Sequence, residues 1–190
     1  MFNLILFGPP GAGKGTQAVK IAGKFQWVHV STGDILRAEV KLKTHLGKQV
    51  QAVMDAGHLV SDALLIEIIA SVFRRSAGAS GFVIDGFPRT LNQATELDVM
   101  LAKFDQTVSL TLSLEVNEEE LVRRLLIRAS EQGRLDDTEE VIRQRLEQYH
   151  QHTKPLIEYY KKKGIFKEVY GICGIDEIFD ILCTEITQWF

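Results

Sequence analysis

Gly8-Pro9-Pro10-Gly11-Ala12-Gly13-Lys14-Gly15-Thr16 follows directly on the apolar run Phe2 to Phe7 and precedes a stretch with helical periodicity. Glycines here let the backbone curl until successive N–H groups point inward, and a helix starting just beyond adds the positive end of its dipole. With Lys14 as a mobile cation, the segment reads as a cradle for phosphate. The spacing Gly8-x4-Gly13-Lys14 is that of the general phosphate loop, but Gly15 stands where Ser or Thr is expected and the hydroxyl is displaced to Thr16. That displacement favours a phosphoryl-transfer enzyme, with magnesium held mainly by nucleotide oxygens and water, over a switch GTPase whose loop hydroxyl ligates the metal. The competing reading is a plain Gly-rich turn, against which Lys14 and the preceding strand argue.

Outward from this loop, apolar runs of strand length recur at Leu4 to Phe7, Trp27 to Val30, Phe82 to Ile84, Val108 to Leu114 and Ile165 to Val169. They alternate with helical patterns over 14–24, 62–75, 91–103, 118–129, 138–163 and 176–188, with Ser61 or Asp62 as a cap. Continuous Val/Ile/Leu/Phe runs mark strands buried on both faces, so the expectation is α/β, a three-layer sandwich around a five-stranded parallel sheet. Right-handed crossovers then gather the loops, and function with them, at one edge. Two segments interrupt the rhythm: 31–60, with only short helical patterns, and 129–137, a polar connection. Both look like covers over a site.

At 190 residues the chain fits one domain, 1–190, with insertions. Its 22 Lys plus Arg against 25 Asp plus Glu give a net charge of −3, which excludes a general nucleic-acid or anionic-membrane surface. Any anion site is local. Cys173 and Cys183 lack metal-ligand partners at short spacing, so no structural zinc is expected. Two buried thiols in a reducing compartment, the cytoplasm, fit better than a disulfide. No apolar stretch approaches the roughly 18 residues that span a bilayer.

Phe82-Val83-Ile84-Asp85-Gly86 puts a carboxylate at the end of a buried strand, where Asp85 suits a magnesium ion held through water; a turn or capping Asp is its plainer role. Arg89 and Gln93, four apart, can face one ligand if a helix starts at Thr90, and the Gln amide can both donate to and accept from an adenine edge. Arg124 and Arg128 share a helical face, Arg134 lies in the polar loop, Arg145 on the next helix, and Arg37 completes a group of six. Converged, they would neutralise a phosphoryl-transfer transition state, because guanidinium binds phosphate oxygens bidentately and stays charged. Pairing with Glu118, Glu119, Glu120, Glu139 and Glu140 along the helices is the alternative. Asp136-Asp137 reads as a helix cap or a partner for the loop arginines. The histidines, at 29, 45, 58, 150 and 152, show no metal or nucleophile pattern and read as structural or exposed.

Four motifs in order carry a resemblance: Gly8 to Thr16, Ser31-Thr32-Gly33-Asp34-Ile35-Leu36-Arg37, Asp85-Gly86-Phe87-Pro88-Arg89, and Gly133-Arg134-Leu135-Asp136-Asp137 followed by Arg145. Over essentially its whole length the chain resembles the adenylate kinase family. The resemblance implies a doubly wound core, a monophosphate-binding insertion at 31–60, a lid of the short form at 129–137, and reversible transfer from Mg-ATP to AMP giving two ADP. It implies that Gly11, Ala12, Gly13, Lys14, Gly15 and Thr16, with Arg124 and Arg128, hold ATP. AMP falls to Thr32, Arg37, His58, Leu59, Val60, Gly86, Phe87, Pro88, Arg89, Gln93, Arg134 and Arg145. The catalytic set is Lys14, Arg89, Arg128, Arg134 and Arg145. His58 departs from the Lys of many members; Thr32 and Thr90 differ from the Ala and Asn of the similar UMP/CMP kinases and favour AMP. ATP adenine is placed near 172–175, where the alignment is loose. A monomer without nucleic-acid or membrane partners is implied.

Overall fold

The computed structural model describes residues 1–132 and 138–190, with the backbone alone at Gln132. Strands β1 (Phe2–Phe7), β2 (Val28–Ser31), β3 (Gly81–Asp85), β4 (Leu110–Glu115) and β5 (Phe166–Tyr170) form one parallel sheet in the order β2-β3-β1-β4-β5. Every residue of β1 is buried, which a centre strand covered on both faces requires. Its side chains alternate between two cores. Leu4 and Leu6 join the layer of α1 (Lys14–Phe25) and α9 (Ile175–Thr187), while Ile5 and Phe7 join that of α4 (Asp62–Arg75), α5 (Leu91–Ala102) and α8 (Leu156–Lys162). This is the expected three-layer α/β sandwich.

The chain leaves β1 for β2 and β3 on one side and then crosses to β4 on the other. Such a reversal opens a crevice beyond the carboxyl ends of the strands, and the loop after β1 sits in it. Between β2 and α4 lie α2 (Thr32–Lys41) and α3 (His45–Asp55), capped by Ser31 and Thr44, whose hydroxyls accept from the Asp34 and Gly47 N–H groups at 3.3 and 3.0 Å. Ser61 occupies the cap position of α4 without a side-chain cap bond; Asp62 instead bonds Asn92 and Gln93. Thr90 caps α5 from just outside it.

The sequence predicts one helix over 138–163, and the structure corrects this. After α6 (Glu118–Gln132) come α7 (Glu139–Gln148), a π-turn at Tyr149–Thr153, and then α8. Pro155 is the cause. It has no N–H for the Gln151 carbonyl and its ring crowds that turn, so the Lys154 N–H reaches back five residues to Tyr149 O at 2.8 Å. A second correction concerns the cysteines. Both are free thiols, but only Cys183 is buried; Cys173 is exposed in the loop between β5 and α9. Among the described residues no helix is long and apolar enough to cross a membrane.

Candidate active site

The loop after β1 takes the backbone that only glycine accepts freely: φ is +134° at Gly8, +86° at Gly11 and +90° at Gly13. Helix α1 starts at Lys14 with no acidic residue of its own in the first turn, so its positive end faces the loop. Lys14 Nζ donates to the Gly8 and Pro9 carbonyl oxygens at 2.8 and 2.9 Å. Burial lowers its pKa from 10.5 to about 8; Asp85 pulls it back up, and Arg89, Arg145 and Arg128 push it down. Cations from three other segments therefore share the field of one lysine.

Gly15 lies beside Asp85: a Cβ there would meet Asp85 Oδ2 at 3.4 Å, an ordinary contact, so the helix start sits close to the carboxylate at the end of β3. Asp85 is buried.

A cleft of about 900 Å³ opens over the loop. Gly11, Ala12, Gly13, Lys14, Gly15 and Thr16 line it together with Asp85, Arg37, Arg89, Arg124, Arg128 and Arg145. A smaller cavity of about 60 Å³ is lined by Thr32, His58, Leu59 and Val60. Gly33, Arg37, Gly86, Arg89 and Arg145 border both spaces. Phe87 and Pro88 line a third cavity, of about 70 Å³, beside Lys14, Arg89 and Arg145. The arginines whose convergence the sequence leaves open thus meet from α2, the β3–α5 loop, α6 and α7. Arg134, Asp136 and Asp137 lie outside the described residues, as does most of 129–137.

Hydrogen bonds fix the wall between the cavities. The Gly86 carbonyl accepts from Thr32 Oγ1 at 3.1 Å and from Arg89 Nε at 2.9 Å. Arg37 pairs with Asp34 at 2.5 Å. Gln93 is fully buried and borders none of the three cavities; its Oε1 accepts from the Arg89 N–H at 2.7 Å and its Nε2 donates to Asp62 at 2.6 Å. Its place is behind the wall, and one face of the amide is spent on protein. The pairing alternative holds in part: Glu120 bridges Arg123 and Arg124, whose hydrogen bonds hold its carboxyl down at about 2. Arg124 still borders the cleft.

Sequence reasoning missed one part of the lining. Tyr149 and Thr153 border the third cavity, hidden by reading 138–163 as one helix, although Pro155 was a signal. Ile172, Cys173, Gly174 and Ile175, near which the resemblance loosely places the ATP adenine, also line the cleft. Among the described residues no group of three or more His, Cys, Asp or Glu could hold a metal. Asp85, without a second carboxylate grouped with it into a metal-holding cluster among the described residues, suits an ion carried mainly by another ligand's oxygens.

A phosphate loop at the switch point of a parallel sheet, with cations from four other segments around one cleft, defines the class as a P-loop phosphotransferase. The chain belongs to the adenylate kinase family: the family model described as adenylate kinase matches residues 6–165. Proteins named adenylate kinase from Bacteroides fragilis (46% identical over 186 residues, 98% of each chain) and Phocaeicola vulgatus (48% over 179 residues, 94% of this chain and 95% of the other) are similar along nearly their full length. One from Leifsonia xyli subsp. xyli is 44% identical over 185 residues, 97% of this chain and 93% of its own.

Proposed function

We propose that the chain transfers a phosphoryl group reversibly from Mg-ATP to AMP, giving two ADP. The observation that carries this reading is the wall shared by a large phosphate-loop cleft and a smaller cavity, with Arg37, Arg89 and Arg145 on both. A donor triphosphate fits the cleft, with Gly11 to Thr16, Arg124 and Arg128 as its contacts. The acceptor monophosphate is assigned to the side of the smaller cavity, which at about 60 Å³ has to widen to admit it, with Thr32, His58, Leu59, Val60 and the Gly86-Phe87-Pro88 turn around it. The segments 31–60 and 129–137 serve as acceptor insertion and short lid.

An AMP phosphate oxygen, already anionic at neutral pH, forms the new bond to the γ-phosphorus as the bridging bond to the β-phosphate breaks. The leaving electron pair stays on the β-phosphate oxygen, so no side chain has to move a proton. Lys14, Arg89, Arg128, Arg134 and Arg145 supply charge where it develops. Asp85, acting through water together with the nucleotide oxygens, would hold magnesium, which would supply charge neutralisation to the phosphates. Gln93 supports the acceptor side from behind the wall, through the Arg89 N–H that its Oε1 accepts. Thr32 and Thr90 favour AMP over UMP and CMP.

Purified protein with ATP, magnesium and AMP is expected to form ADP. Robust turnover with UMP or CMP and none with AMP would replace this reading by a UMP/CMP kinase, and ATP binding without transfer by a binding module. The low net charge and the free thiols support a cytoplasmic protein that binds no nucleic acid. The resemblance supports a monomer, which sedimentation tests.

A further inference from the structure

The backbone of Arg89 is gripped from both sides. Its N–H donates to Gln93 Oε1 at 2.7 Å, and its carbonyl oxygen accepts from the Thr153 hydroxyl at 2.9 Å. Gln93 is four residues away, so its grip is local. Thr153 comes from 64 residues further along the chain, at the end of the π-turn. It is buried, and it borders the same cavity as Lys14, Arg89 and Arg145.

The π-turn explains how it gets there. A wide turn between two straight helices resets the rotational phase of the second relative to the first. Tyr149 and Thr153, the first and last residues of this turn, are both buried and both face the cavity. Arg145 lies one turn earlier on α7. One continuous segment therefore carries the Arg145 side chain and holds the Arg89 peptide.

We propose that Thr153 is a positioning residue for Arg89. Its hydroxyl ties the β3–α5 loop to the segment bearing Arg145, and so sets the spacing of the two guanidinium groups across the shared wall. This rests on the reading of Arg89 as a group that stabilises the transferring phosphoryl. Thr153→Val keeps shape and burial but leaves the Arg89 carbonyl without its donor. A small misplacement of a charge aimed at a transition state is felt in kcat more than in binding of the donor.

The test compares kcat and both KM values for Thr153→Val, Thr153→Ser, Arg89→Ala and the double variant Arg89→Ala/Thr153→Val, with thermal midpoints as a check on folding. Thr153→Val is expected to lower kcat by about tenfold at unchanged KM for ATP. Thr153→Ser, which keeps the donor, recovers most of that loss, and Thr153→Val has no further effect once Arg89 is Ala. The proposal is overturned if Thr153→Val keeps wild-type kcat while Arg89→Ala collapses it. Equal losses from Val and Ser, or the same loss from Val in both backgrounds, overturn it too, because the effect then does not run through the hydroxyl or through Arg89. Full turnover in Arg89→Ala alone brings down the underlying reading of the site, and that single variant shows it.

Discussion

Lys14 Nζ donates a hydrogen bond of 2.8 Å to the carbonyl oxygen of Gly8, the first glycine of its own loop. The cation is thus tied to the same backbone that curls into the phosphate cradle. Burial and the surrounding guanidinium groups make this an unfavourable place for charge, which is why the pKa falls to about 8.

Nucleotide binding is therefore expected to take up a proton. An anion beside Lys14 favours the charged form and raises its pKa, so at pH 8 to 9 the bound protein holds more protons than the free one. Calorimetric titration with ATP in two buffers of different ionisation enthalpy reads this directly. Equal enthalpies in the two buffers contradict it. In the free enzyme, kcat/KM falls as pH rises through about 8, and Asp85→Asn moves that limb to lower pH by removing the charge that holds the pKa up.

Lys14→Met should divide stability from activity. A lysine with its folded pKa below 10.5 disfavours folding while protonated in both states, and that penalty is relieved between pH 8 and 10.5 as the folded form sheds its proton. Removing Lys14 thus raises the thermal midpoint of the ligand-free protein at pH 7, with the gain shrinking toward pH 10. Turnover drops by at least about a hundredfold. A midpoint that falls at pH 7 speaks against the buried-charge account.

Arg89→Ala removes charge from the wall shared by both cavities, and kcat is expected to fall by at least about a hundredfold. Steady-state assays with saturating ATP and AMP measure it. Near-wild-type turnover would remove Arg89 from the catalytic set.

Gly8→Ala places a methyl group 2.7 Å from the Leu114 carbonyl oxygen, at a φ of +134° that side chains avoid. Either the loop shifts or β4 does. A loss of roughly 1–3 kcal/mol in urea unfolding is expected, together with weaker ATP binding because the cradle is displaced. An unchanged unfolding midpoint would mean that the loop relaxes freely.

The phosphate loop and the strand–helix alternation were legible in the chain because each rests on local spacing. Glycine positions set the curl of the loop, and apolar runs set which stretches are buried on two faces. The types of the site residues were legible as well, since only Arg and Lys offer permanent charge to phosphate. Tertiary structure decided which of them meet. Arg37, Arg89 and Arg145 are far apart in sequence and share one wall because the order β2-β3-β1-β4-β5 brings the ends of their elements to one crevice. It also decided the hydrogen bond from Lys14 to Gly8, the withdrawal of Gln93 behind the wall, and the π-turn that carries Thr153 to Arg89. Contacts of this kind depend on how distant elements pack, and local periodicity carries no record of that packing.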